Sequence, residues 1–296
     1  MEEKFTIDGR EIILIYKTTV EERIKEITKE ALLDVCSNED VGKKFSVLYW
    51  IFIDKYPHET SIDLDAMENG KATVYLSPYY LTNKISRYQK KQAVLEMKLL
   101  FIHELTHLWQ EFETRVLSRN QAIAKRLVKE IKAAQALAPP TVEQEAIGAL
   151  RVMLREFLRR VFAEGIARYC EELQRGTIFS EDTFKELHIY ATEEIEDIKR
   201  QISSNPVTTM RSIRDDLIIK SYPVGQHMVY SILYVDHDLK VDDIIKMEMF
   251  EFYRKYEGCI LSKGFKPVIT ITSGRGELDY QRTLAELELA YKKAHR

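Results

Sequence analysis

The chain has 296 residues, 31% of them charged and 45% hydrophobic, with a formal net charge of −3 and a pI near 6.2. That balance describes a soluble globular protein and argues against a nucleic-acid binder, which would carry a basic excess. No run of 18 apolar residues is present, so no membrane span is expected, and the start Met1-Glu2-Glu3-Lys4-Phe5 lacks the apolar stretch of a secretory signal. Cys36, Cys170 and Cys259 are odd in number and widely spaced, which points to a reducing, cytoplasmic setting and not to a disulfide framework.

In chain order, Lys4 to Lys17 reads as a β-hairpin turning at Asp8-Gly9. Val20, Ile24, Ile27 and Ala31 have helical spacing, which predicts a helix over Thr19 to Cys36. Phe45 to Asp54 is aromatic and β-branched, a strand pattern. Ser61 to Pro78 reads as a second hairpin around Asn69-Gly70, with Pro78 closing its return strand. Ser86 and Gln89 resemble a capping box, so a long helix is expected from near Ser86 to beyond Phe112. A further helical stretch covers Ser118 to Leu137, and Pro139-Pro140 must end it. Thr141 and Gln144 open the next helix, which runs to a stop at Gly176. Helices are also expected over Asp182 to Gln201, over Thr208 to Lys220, from Pro223 onward, and over Val241 to Tyr256. A polar loop lies between Tyr234 and Asp243. Lys266 to Thr272 reads as a last strand, with a terminal helix from about Leu278. The fold class is therefore α+β and mostly helical. A small N-terminal sheet and one long helix occupy residues 1–138, and a helical part occupies residues 139–296, the two forming one integrated unit.

The long helix carries His103-Glu104-Leu105-Thr106-His107. Seven histidines in 296 residues make a chance His-Glu-x-x-His rare, on the order of 0.02 per chain. On a helix the two imidazoles project one turn apart from one face, a spacing that suits a single divalent cation such as Zn²⁺. Glu104 lies beside them, where it can take a proton from a metal-bound water. The surrounding Leu99, Leu100, Phe101, Ile102, Leu105, Leu108 and Trp109 bury the helix. Buried histidines and a buried acid require compensation, which a metal supplies.

A catalytic zinc needs a third protein ligand. The metzincin continuation fails, because Gln110 and Glu113 stand where Gly and His would be required. Glu111 lies in line with both histidines on the same helix, so the third ligand should come from elsewhere. Glu164 continues the apolar seam Leu150, Leu154, Phe157, Val161 of the next long helix, with small neighbours Ala163, Gly165 and Ala167. An acid on a buried face needs a positive partner: a metal, or a guanidinium such as Arg160 or Arg168.

The pattern His103-Glu104-x-x-His107 followed by Glu164-Gly165-Ile166-Ala167-Arg168-Tyr169-Cys170-Glu171 resembles the gluzincin metallopeptidases. It is closest in motif to the Glu-Gly-x-Ala-x-Tyr-x-Glu segment of the aminopeptidase N type. The resemblance implies a zincin-like domain, Zn²⁺ held by His103, His107 and Glu164, Glu104 as general base, and a peptide or protein substrate. Tyr222-Pro223-Val224-Gly225 is similar to the segment whose Tyr stabilises the oxyanion, which implies that role for Tyr222. His227, one turn further on, is the alternative donor, or a packing histidine. Ala66-Met67-Glu68-Asn69 is similar to the substrate-amine motif of that family, though Asn69-Gly70 alone accounts for a turn. Two departures stand out. Between His107 and Glu164 lie 56 residues, more than in those families, and Arg168 replaces the Asp found in thermolysin-like enzymes.

Other features read as structural. His58, His188, His237 and His295 have no ligand spacing. Arg151, Arg155, Arg159 and Arg160 form a solvated face, and Ser273-Gly274-Arg275-Gly276 is a weak phosphate motif. A di-iron bundle would need a second Glu-x-x-His, which the chain lacks. A non-catalytic protein that keeps a zinc site is the remaining rival. It would have no need of Glu104.

Overall fold

The computed structural model describes residues 1–38, 45–53, 61–63, 71–115, 118, 122, 125, 129, 142–204 and 210–270. Contacts group the chain into two compact units, Met1–Glu113 with Cys170–Gly176, and Thr114–Tyr169 with Thr177–Arg296.

The first unit is built on a sheet of strands β1 (Glu2–Ile7), β2 (Arg10–Tyr16), β3 (Val47–Phe52), β4 (Ser61–Asp63) and β5 (Lys71–Leu76), in the order β1-β2-β3-β5-β4. The first hairpin forms as expected. Ile7 pairs with Arg10, and Asp8 and Gly9 both have positive φ, 49° and 79°, the backbone a two-residue type I′ turn requires. Helix α1 (Glu22–Asn38) buries Ile24, Ile27, Ala31 and Val35 and connects β2 to β3, which pair in parallel. A parallel pair needs such a crossover.

Strand β5 runs parallel to β3 and antiparallel to β4. It is therefore an interior strand, and among the described residues the sheet edges are β1 and β4. The β4–β5 register also departs from expectation. A two-residue turn at Asn69-Gly70 would set Asp63 opposite Leu76, whereas Asp63 pairs with Thr73. Residues 64–70, including Glu68 and the Asn69-Gly70 pair, lie outside the described residues.

Pro78 does more than close a strand. It opens helix α2 (Pro78–Ile85), and the Ser77 hydroxyl caps it by accepting from the Tyr80 amide at 3.2 Å. Ser86 ends this helix and does not begin the next. Helix α3 (Lys90–Thr114) therefore starts four residues later than its capping pattern suggested. It packs on the sheet through Phe101 against Trp50, ring centroids 4.6 Å apart, and is pinned to α1 by the Lys98–Asp34 ion pair at 2.9 Å.

The second unit is helical: most of α4 (Val142–Arg175), then α5 (Glu181–Ser204), α6 (Met210–Val235), α7 (Val241–Lys246) and α8 (Met249–Ser262). Gly176 ends α4 at φ 77°. Two expectations fail here. Pro223 lies inside α6 and does not start a helix. The ring removes one helical hydrogen bond to the Ile219 carbonyl, but Ile219 is on the exposed side, and the helix is held laterally. Lys220 reaches Asp197 of α5 at 2.7 Å and also pairs with Glu194, and Val224 and Met228 are buried. The stretch from Val241 to Tyr256 breaks between Lys246 and Met249 into α7 and α8.

No strand forms over residues 266–270. Instead the Val268 amide donates to the Tyr256 hydroxyl at 3.0 Å, so a side chain serves the backbone that a ladder would have served. Residues 118, 122, 125 and 129 are helical, while Pro139-Pro140 and the expected terminal helix lie outside the described residues. No disulfide joins Cys36, Cys170 and Cys259. Among the described residues no helix is long and apolar enough to cross a membrane.

Candidate metal centre

Helix α3 is buried on almost every side: Leu99, Phe101, Ile102, Leu105, Leu108 and Trp109 are each at most 3% exposed. His103 and His107, one turn apart, turn their rings to each other, with the two Nε2 atoms 3.0 Å apart. Each ring is held from behind. His103 Nδ1 lies 2.7 Å from Glu171 Oε1 on α4, and His107 Nδ1 lies 3.0 Å from Gln110 Oε1.

Those contacts fix the tautomers. A carboxylate and an amide oxygen only accept, so each ring must carry its proton on Nδ1. Both Nε2 lone pairs then face one point. Two acceptors 3.0 Å apart repel unless a proton makes one ring cationic or a metal ion lies between them. In a tetrahedral zinc site with Zn–N bonds of about 2.0–2.1 Å, the two nitrogens would be about 3.3 Å apart, close to the separation found.

Glu164 completes the set. His103, His107 and Glu164 each offer a ligand atom, and these atoms all lie within 4.8 Å of one another. His107 and Glu164 are buried, and the His103 side chain is 12% exposed. Two imidazoles and a carboxylate are a donor set that can hold a divalent metal. Of the two kinds of partner weighed for Glu164 in the sequence, the guanidinium is present, because Arg160 Nη1 lies 3.3 Å from Glu164 Oε1, and the group with His103 and His107 could hold the other.

Glu104 is 7% exposed on the same helix. Tyr222 is half-buried in α6. Its helix passes α4 at a contact where neither partner has room for a side chain: a Cβ on Gly225 would lie 2.1 Å from the Val161 carbonyl oxygen, and one on Gly165 would lie 2.3 Å from the Gly225 carbonyl carbon. Gly165 follows Glu164 directly, and Gly225 is one turn past Tyr222.

His227 is a packing histidine. Its Nε2 faces His188 Nδ1 at 3.2 Å and accepts from the Tyr256 hydroxyl at 3.3 Å, while Nδ1 meets the Ser231 hydroxyl at 3.3 Å. Burial, and then the neighbouring His188, lower its pKa to about 3. It is thus neutral, and both ring nitrogens, the one N–H included, are engaged by neighbouring side chains inside the core. His188, read as structural or exposed, is half-buried, and burial lowers its pKa also.

The residues whose roles sequence reasoning missed are Glu171 and Gln110. The signal was present for both: Glu171 is seven residues, or two turns, after Glu164 on the same helix face, and Gln110 is one turn after His107. No family model, no curated protein and no solved structure matches the chain.

Proposed function

We propose that the protein is a zinc-dependent metallopeptidase of gluzincin type that hydrolyses peptide bonds in a peptide or protein substrate. The observation that carries this reading is the pair of Nε2 atoms 3.0 Å apart, each ring fixed from behind by an acceptor, with Glu164 in reach of both. His103, His107 and Glu164 would hold the ion, and their nitrogen and oxygen donors suit zinc. Bound there, zinc would supply Lewis acidity, lowering the pKa of a coordinated water toward about 7.

The remaining steps belong to side chains. Glu104, adjacent in sequence to His103 and nearly sealed from solvent, takes the proton of the attacking water and returns it to the leaving amine. The Tyr222 hydroxyl donates to the oxygen on which charge develops. Glu171 and Gln110 keep both imidazoles in the tautomer that offers Nε2. Glu104 separates this reading from a zinc site without catalysis, since holding the ion requires only the other three.

The test is Glu104→Gln. An amide cannot accept the proton, so the variant should bind one zinc per chain as the wild type does and lose most cleavage of a peptide library. Wild-type cleavage rates in Glu104→Gln would remove the mechanism. Zinc bound by the wild type with no cleavage of any peptide would leave the non-catalytic reading.

A further inference from the structure

Arg160 stands on α4 midway between two carboxylates, Glu156 one turn before it and Glu164 one turn after. Its Nε lies 3.2 Å from Glu156 Oε1, and its Nη1 lies 3.3 Å from Glu164 Oε1. Glu156 is held again by Arg159, whose Nε donates to Oε2 at 2.9 Å and whose Nη2 donates to Oε1. Burial pushes the Glu156 carboxyl up, but hydrogen bonding and charge from Arg159, with Arg160, outweigh it and hold the group below its ordinary range. Two guanidiniums and two carboxylates cancel in charge. Glu164 is the one member of the four that is also a candidate metal ligand.

We propose that Arg160 is a built-in counter-ion: it pairs with Glu164 in the metal-free protein and gives it up to an incoming divalent cation, keeping Glu156 as its own partner. This rests on the metal-centre reading above. A carboxylate with 11% side-chain exposure is costly to leave without a cation, and Arg160 meets that need before metal arrives. Once a dication is bound, the same guanidinium faces two positive charges across a single carboxylate. It is then better placed on Glu156, one turn away, without any backbone movement.

The sign of the effect on metal affinity follows from two opposed magnitudes. A hydrogen bond that orients a metal ligand is worth about 10–100-fold in affinity. The Arg160–Glu164 contact of 3.3 Å is long beside the roughly 2.7–2.9 Å of a strong charge-assisted bond, so its orienting share is small. Repulsion between a guanidinium and a dication in a partly buried site amounts to several factors of ten at an effective dielectric of about 20. Competition wins, and Arg160 weakens metal binding while stabilising the empty centre.

Zinc titration of the chelator-treated full chain by calorimetry tests this. Arg160→Gln should bind Zn²⁺ about tenfold or more tightly than wild type, and Arg160→Lys, which keeps the charge, should stay near wild type. Glu156→Gln removes the refuge of Arg160 and should weaken zinc binding about tenfold. Placed on top of Arg160→Gln, it should change nothing. Equal or weaker binding by Arg160→Gln overturns the proposal, as does a Glu156→Gln effect that survives in the Arg160→Gln background. If Arg160→Gln does not fold, Glu156→Gln alone decides: wild-type affinity in that variant overturns the proposal. Absence of zinc binding by the wild type would instead overturn the metal centre itself, and this inference with it.

Discussion

At the scale of single residues, the orientation of the two histidine rings depends on the acceptors behind them. Glu171→Ala removes the acceptor that keeps the His103 proton on Nδ1. Zinc affinity should fall about 10–100-fold while the helical circular dichroism is unchanged; wild-type affinity would mean that α3 alone sets the ring. The His-Glu-x-x-His pattern was legible because it is a local spacing on one helix, and Glu164 because an acid interrupts an apolar seam. Glu171 and Gln110 were not assigned, since their roles depend on side-chain rotamers that spacing does not specify. His227 supplies a second residue-scale prediction. Burial and then His188 depress its folded pKa to about 3, whereas the unfolded value is about 6.5. Between those values the unfolded chain binds the extra proton, so stability present above about pH 6.5 is lost as pH falls toward 3. Thermal melts of the metal-free protein from pH 7 to 4 should show this decline, and His227→Gln should flatten it. An equally steep decline in His227→Gln would place the titration elsewhere.

At the scale of elements, the contact of α4 with α6 depends on two glycines. A Cβ at Gly225 would lie 2.1 Å from a backbone oxygen, a clash that no rotamer relieves. Gly225→Ala should therefore cost about 1–3 kcal/mol or more. Gly258, in the interior of α8, meets nothing within 4 Å, so Gly258→Ala should add about 0.5–1 kcal/mol by helix propensity. Denaturant melts of the two variants compare these directly, and a stabilised Gly225→Ala would show that the helices can part at no cost. The elements that sequence misread share one cause. Pro223 looked like a helix start because local propensity places proline there, but the Lys220 ion pairs and the buried Val224 and Met228 carry α6 through it. Likewise Ser86 looked like a cap, while the nearer Ser77-Pro78 pair starts a helix first. The β4–β5 register was set by pairing, not by the Asn69-Gly70 signal.

At the scale of the whole molecule, the metal group draws on residues far apart in sequence, with 56 residues between His107 and Glu164. An unfolded chain holds no such constellation, so an ion held there would bind the native state almost alone, and its binding free energy would become folding stability. At free zinc about 1,000-fold above Kd the gain is roughly 4 kcal/mol. For a chain of this length that corresponds to a melting-temperature rise on the order of 5–10 °C. The shift should vanish with a chelator and shrink strongly in His103→Ala and Glu164→Ala. Glu104→Gln should keep it in full, because Glu104 is not in the ligand group and the proposed mechanism gives it a role on protons alone. Scanning calorimetry at fixed protein concentration, with and without chelator, reads all four proteins on one scale. If zinc leaves the wild-type transition in place, the three residues form no metal centre. If Glu164→Ala shifts as far as wild type, the third ligand lies on another residue, and α4 contributes only the Glu171 contact.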